Sequence, residues 1–90
     1  MQILANKNNM IIVNNGDFID FISYTTHIAR YDKKFDLLGI DENNWNISQT
    51  TLKQLKEFIN YYTSFKYTNK KEFEEELQRN KKIKLVTCFN

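Results

Sequence analysis

The stretch NNGDFIDFISYTTHIARYD, residues 14–32, admits two readings, and the choice between them decides the fold. Read as β-structure, Asn15-Gly16 between apolar runs signals a type I′ hairpin, since that turn needs positive φ at both central residues. Phe18 to Tyr24 then becomes a third strand. Read as helix, Asp17 is the N-cap, and Phe18, Phe21, Ile22, Thr25, Ile28 and Ala29 share one face. The stripe continues through Tyr31, Phe35 and Leu38, and Gly39 follows as a C-terminal capping glycine. The longer run of the period favours the helix, with the strand as the alternative.

Upstream, Gln2-Ile3-Leu4-Ala5 and Met10-Ile11-Ile12-Val13 are short apolar strands joined by the polar loop Asn6-Lys7-Asn8-Asn9, a hairpin. Downstream, a polar loop from Ile40 to Asn46 surrounds Trp45. Ser48 or Thr50 then caps a helix carrying Leu52, Leu55, Phe58, Ile59, Tyr62 and Phe65 on its buried side. A further helix starts at TNKKEFEEEL, residues 68–77, where Asn69 and Glu72 resemble a capping box. Phe73 and Leu77 form its thin apolar seam, and Lys71–Glu75 and Glu75–Arg79 have the spacing to pair along its surface. The end, IKLVTCF, residues 83–89, is rich in β-formers, with Ile83, Leu85, Thr87 and Phe89 alternating against Lys84, Val86 and Cys88. The expected architecture is a single two-layer α+β domain over residues 1–90. Its N-terminal β-hairpin and C-terminal strand share one sheet, with about three helices packed on it.

Ninety residues allow one core and no second domain. Fourteen percent aromatic residues are enough to build that core from a few large side chains. A net charge of +2 is too small to bind nucleic acid or an anionic membrane by bulk electrostatics. Most of the basic residues are Lys, a hydrated point charge rather than the fork that reads bases or phosphates bidentately. The single Cys88 forbids an intramolecular disulfide. The longest apolar run, Met10 to Val13, falls far short of the ~20 residues of a membrane span. With no leader-like segment at the start, a cytoplasmic location is expected. Twelve Asn, eleven Lys and ten Ile point to an AT-rich genome, as their codons are A/T-rich.

Ile47-Ser48-Gln49-Thr50-Thr51-Leu52 looks like the start of a DNA-recognition helix, but the helix-turn-helix pattern fails in both registers. With Asn46 at the turn, Asp41 and Glu42 occupy packing positions, where an unpaired carboxylate is costly to bury. With Gly39 at the turn, Phe35 stands where a small residue is needed. What remains for nucleic acid is the outer stripe Gln49, Lys53, Lys56 and Asn60, residue types that contact phosphates and adenine edges. Tyr61 and Tyr67 lie outside the core stripe and suit either base stacking or a protein interface. Trp45 is an anchor for its loop or an interface residue. Glu72, Glu75 and Glu76 offer a negative face to a basic partner.

His27, the only His, has Ser23 four residues before it and Asp20 and Asp32 nearby, the weakest outline of a catalytic set. One His and one Cys far apart make no metal set, and two glycines make no phosphate loop. No cofactor is expected. These features favour a small intracellular protein that binds another protein without catalysis, as monomer or homodimer. A regulator, inhibitor or immunity-type protein of a phage or mobile element fits this description. The alternative is a nucleic-acid-binding regulator using residues 49–65, and an enzyme centred on His27 comes third.

Overall fold

The structure, a computed structural model, describes residues 1–87 and 89. Five strands run up and down in chain order: β1 (Gln2–Lys7), β2 (Met10–Asn15), β3 (Phe18–Ser23), β4 (Thr26–Asp32) and β5 (Leu37–Asp41). Two helices follow, α1 (Gln49–Tyr62) and α2 (Lys70–Arg79), before β6 (Ile83–Val86). The six strands lie in one sheet in sequence order. Neighbours are antiparallel except β5 and β6, which are parallel. Parallel neighbours cannot be joined by a tight turn, so α1 and α2 form the crossover. The result is a small α+β domain with helices on one face of the sheet. No helix among the described residues is long and apolar enough to cross a membrane.

The favoured helix over residues 17–38 is therefore corrected to strands β3, β4 and the start of β5. Gly39 sits inside β5 and caps nothing. Two features of the strands produce the misleading period. β3 is buried on both faces, with Ile19, Asp20 and Phe21 all inside, and this removes the alternation that marks a strand. A bulge then breaks the β3–β4 register between Phe21 and Ile22. It leaves Ile28 and Ala29 both buried, so apolar residues fall at helical spacing. With this segment in the sheet, two helices stand where about three were expected.

Local turn chemistry overrides the period. Asn8 (φ 51°) and Asn9 (φ 63°) form a two-residue turn with both central residues left-handed, a tighter link than the expected loop from Asn6. Gly16 is at φ 69° while Asp17 is not left-handed, the pattern of a type II′ turn rather than the expected I′. Tyr24 (φ 57°) opens the β3–β4 turn. Asp32 Oδ1 accepts from the Lys34 and Phe35 amides at 3.0 and 3.1 Å, shaping the loop into β5.

The C-terminal strand is in the sheet but beside β5, at the edge opposite the N-terminal hairpin. The crossover starts from β5 and returns to its free edge, whereas β1 lies four strands away at about 4.8 Å each. Regular pairing stops at Val86. The expected strand position of Cys88 lies outside the described residues. Phe89 instead turns onto the outer face, its ring 4.2 Å from that of His27.

The core lies between sheet and helices. Met10, Ile12, Phe21, Ala29, Leu38, Ile40 and Ile83 meet Leu55, Phe58 and Ile59 of α1, all buried. Phe21 and Phe58 stack at 5.6 Å. Ser48 caps α1, its Oγ accepting from the Thr51 amide at 3.1 Å, and Asn69 caps α2 through the Glu72 amide at 2.9 Å. The Glu72 carboxylate takes the Thr68 hydroxyl at 3.0 Å. Along α2 the ion pair is Glu76–Arg79 at 2.7 Å, in place of the expected pairs through Glu75.

Candidate functional site

The helix layer leaves a groove of about 390 Å³ between α1 and the start of α2. Its floor is aromatic. Phe73 is fully buried, with Tyr67 packed on it at 4.7 Å and Trp45 edge-on at 5.4 Å. Trp45 comes from the loop after β5, which Asp41 holds: the Asn43 amide and Asn44 Nδ2 donate to its carboxylate at 3.0 and 2.7 Å. Asp41 is thus buried but paired, at the end of a strand, and no first helix of a helix-turn-helix precedes α1. Leu52 closes one wall, and Gln49, Lys53, Lys56, Asn69 and Lys70 form the rim. Lys70 Nζ stands 6.0 Å from the centre of the Trp45 ring.

The groove thus gathers residues that the sequence assigns to competing readings. Trp45 and Tyr67 join Gln49, Lys53 and Lys56 around one depression. Tyr67 is not free as expected but 5% exposed, and burial alone pushes its phenol well above the ordinary tyrosine range. Asn60 is bonded within the chain. Its Nδ2 donates to the Tyr67 carbonyl at 2.9 Å and its Oδ1 accepts from the Tyr67 amide at 3.0 Å, fixing the chain between the helices. Tyr61 is 79% exposed on the outer side of α1, beside Lys53, Lys56 and Glu57. Glu75 is exposed, while Glu72 and Glu76 are half-buried and engaged by Thr68 and Arg79. The three therefore form a helix surface away from the floor.

A second polar centre lies on the sheet's outer face. Register pairing sets Val13, Asp20, Arg30 and Gly39 in a row across β2 to β5. Asp20 is 2% exposed, yet it accepts from Asn15 Nδ2 at 2.9 Å and from Arg30 Nε and Nη2 at 2.7 and 3.4 Å. His27 Nε2 lies 3.0 Å from Asp20 Oδ1. Burial pushes this carboxyl up, but hydrogen bonds from His27, Arg30 and Asn15 outweigh it and hold the group well below the usual range. Phe18 lies under the Arg30 guanidinium at 4.8 Å, and Phe89 covers His27. A shallow depression of about 220 Å³ beside Gly39 is lined by Phe18, Arg30 and Phe89 together with Asp32, Leu37 and Val86.

This arrangement separates His27 from Ser23. In a helix the two meet at four residues' spacing; in the hairpin Ser23 faces α1 and donates to Gln54 Oε1 at 2.8 Å. His27 points to the other face, so that pairing is corrected. Among the described residues no group of three or more His, Cys, Asp or Glu side chains is placed to hold a metal ion. Asp20 beside His27 was within reach of the sequence, whereas Arg30 and Asn15 join the network only through strand pairing; the lone carboxylate inside the apolar run FIDFI was the available signal.

Fold and groove together define a small α+β domain: a five-strand meander closed by a helical crossover, with a basic-rimmed cleft in its helix layer. The chain belongs to a family of unknown function (DUF8033), whose model matches residues 1–75 and so spans the meander, α1 and the groove. No match was found among curated proteins or solved structures.

Proposed function

We propose that this protein is a small intracellular binding module that acts on another protein and has no catalysis of its own. The role of a regulator, inhibitor or immunity-type protein of a phage or mobile element fits that reading. The observation that carries it is the groove between α1 and α2, where a largely buried aromatic floor lies under a polar rim with three lysines. Apolar surface of this kind, framed by polar side chains, is the usual make-up of a recognition patch. Exposed Tyr61 extends it along α1. Tagged protein incubated in lysate of the source organism should elute from gel filtration in a larger complex containing one defined protein. Recovery of free monomer or homodimer alone overturns the reading.

A nucleic-acid-binding regulator is the second reading, favoured by Lys53 and Lys56 on the same rim. In that reading Asn60 would have to serve a ligand while also holding the Tyr67 backbone through one bond in each direction. Nuclease treatment of the complex separates the two, since only a nucleic-acid bridge is dissolved by it.

A further inference from the structure

Resting on the protein-binding reading, we infer that the α1–α2 groove takes an acidic segment of its partner, with an apolar side chain of that segment seated on the aromatic floor. Charge complementarity carries the inference. Lys53, Lys56 and Lys70 border one small depression, and among the described residues none of them has a carboxylate within 4.0 Å. The ion pairs that do form use Lys7, Lys82, Arg30 and Arg79, and Glu57, the carboxylate beside Lys53 and Lys56, is taken by Lys7 at 3.3 Å. Like charges gathered around an apolar floor repel one another, and incoming carboxylates relieve that repulsion. Lys70, 6.0 Å from the centre of the Trp45 ring, brings one of these charges to the edge of the floor.

The same site is poorly made for a nucleic-acid strand. Bases stack on exposed ring faces, and Trp45, Tyr67 and Phe73 are 7%, 5% and 2% exposed. An aliphatic side chain needs no open ring face, and packs on what these rings and half-buried Leu52 leave exposed. The charges of the rim are all lysine, with no guanidinium fork for phosphate. An acidic peptide with an apolar anchor satisfies both rim and floor.

Trp45, the only tryptophan, reports on the site directly. The probes are a short synthetic peptide of Asp and Glu around one Leu and one Phe, its counterpart with Lys replacing the acids, and an oligothymidylate of equal length. The acidic peptide should change Trp45 emission saturably, with affinity falling as salt rises. The Lys53→Glu/Lys56→Glu variant should weaken it by about tenfold or more, and Lys81→Glu, outside the groove, should not. Thermal melts confirm that both variants are folded. The proposal is overturned by the absence of a saturable change, by equal binding of the lysine peptide, or by tighter binding of the oligonucleotide. A protein partner captured equally by wild type and by Lys53→Glu/Lys56→Glu leaves the binding-module reading standing and removes this groove from it.

Discussion

Asp20 is the residue whose environment is furthest from what its type prefers. A carboxylate in the middle of a strand survives burial only when its charge and lone pairs are satisfied; Arg30 supplies the counter-charge, and Arg30, Asn15 and His27 the hydrogen bonds. Asp20→Asn keeps the shape but leaves the Arg30 guanidinium without its counter-charge. Removing one partner of a fully buried pair costs roughly 3–5 kcal/mol. Arg30 keeps 26% of its side chain exposed and regains some hydration, so the expected loss is about 2 kcal/mol, read as a lower urea midpoint at pH 7. The pH dependence follows from the depressed acidity constant. Asp20 binds its proton less readily folded than unfolded, so its stabilisation is complete above the ordinary 3.8 and is lost as pH falls through and below that value. Wild type should therefore lose more stability than Asp20→Asn between pH 5 and pH 3; equal slopes would exclude Asp20 as the source. The sequence displays this carboxylate plainly within FIDFI, but its partners come from the two flanking strands, Asn15 from β2 and His27 and Arg30 from β4. They become neighbours only once the register is known, as the helix reading of residues 17–38 shows.

At the level of elements, the helices were legible and the central strands were not. Ser48 and Asn69 cap α1 and α2 through local contacts, three residues apart in the chain, and such contacts can be read from sequence alone. β3 and β4 owe their identity to long-range pairing and to turns whose signals conflict with propensity. The β3–β4 turn is the clearest case, because it places Tyr24 at φ 57°, a conformation that costs a non-glycine residue about 1–2 kcal/mol. Nothing compensates through packing, since the Tyr24 side chain is 59% exposed. Its amide donates to the Asn9 carbonyl at 2.7 Å, a bond that any residue but proline retains. Tyr24→Gly should then raise stability by about 0.5–1 kcal/mol, the strain relieved less the extra freedom of glycine in the unfolded chain. Chemical denaturation measures this, and destabilisation by the same amount would mean that the turn is not left-handed in solution.

Across the whole molecule, core and candidate groove are built from the same side chains. Phe73 belongs to the buried cluster and is also the lowest point of the groove floor, carrying Trp45 on one side and Tyr67 on the other. The seam of α2 is thin, and Phe73 is the only residue of that helix counted as buried. One aromatic ring therefore holds α2, the Trp45 loop and the segment at Tyr67 in register. Phe73→Ala removes it and leaves a cavity that the two remaining rings fill only in part. The expected cost is about 3–4 kcal/mol, which for a domain of this size lowers Tm by roughly 12 °C or more. A domain of 5–15 kcal/mol total stability tolerates that loss, so the variant should still fold at low temperature. Its Trp45 emission should then be red-shifted in native buffer, as the indole loses its edge-on partner and gains water. Phe73→Leu, which keeps most of the volume, should recover most of the stability and less of the spectral shift, because a branched aliphatic side chain fills space without replacing the ring. A drop in Tm with an unchanged Trp45 spectrum would uncouple groove from core, and would mean that the loop carrying Trp45 is held by the Asp41 turn alone.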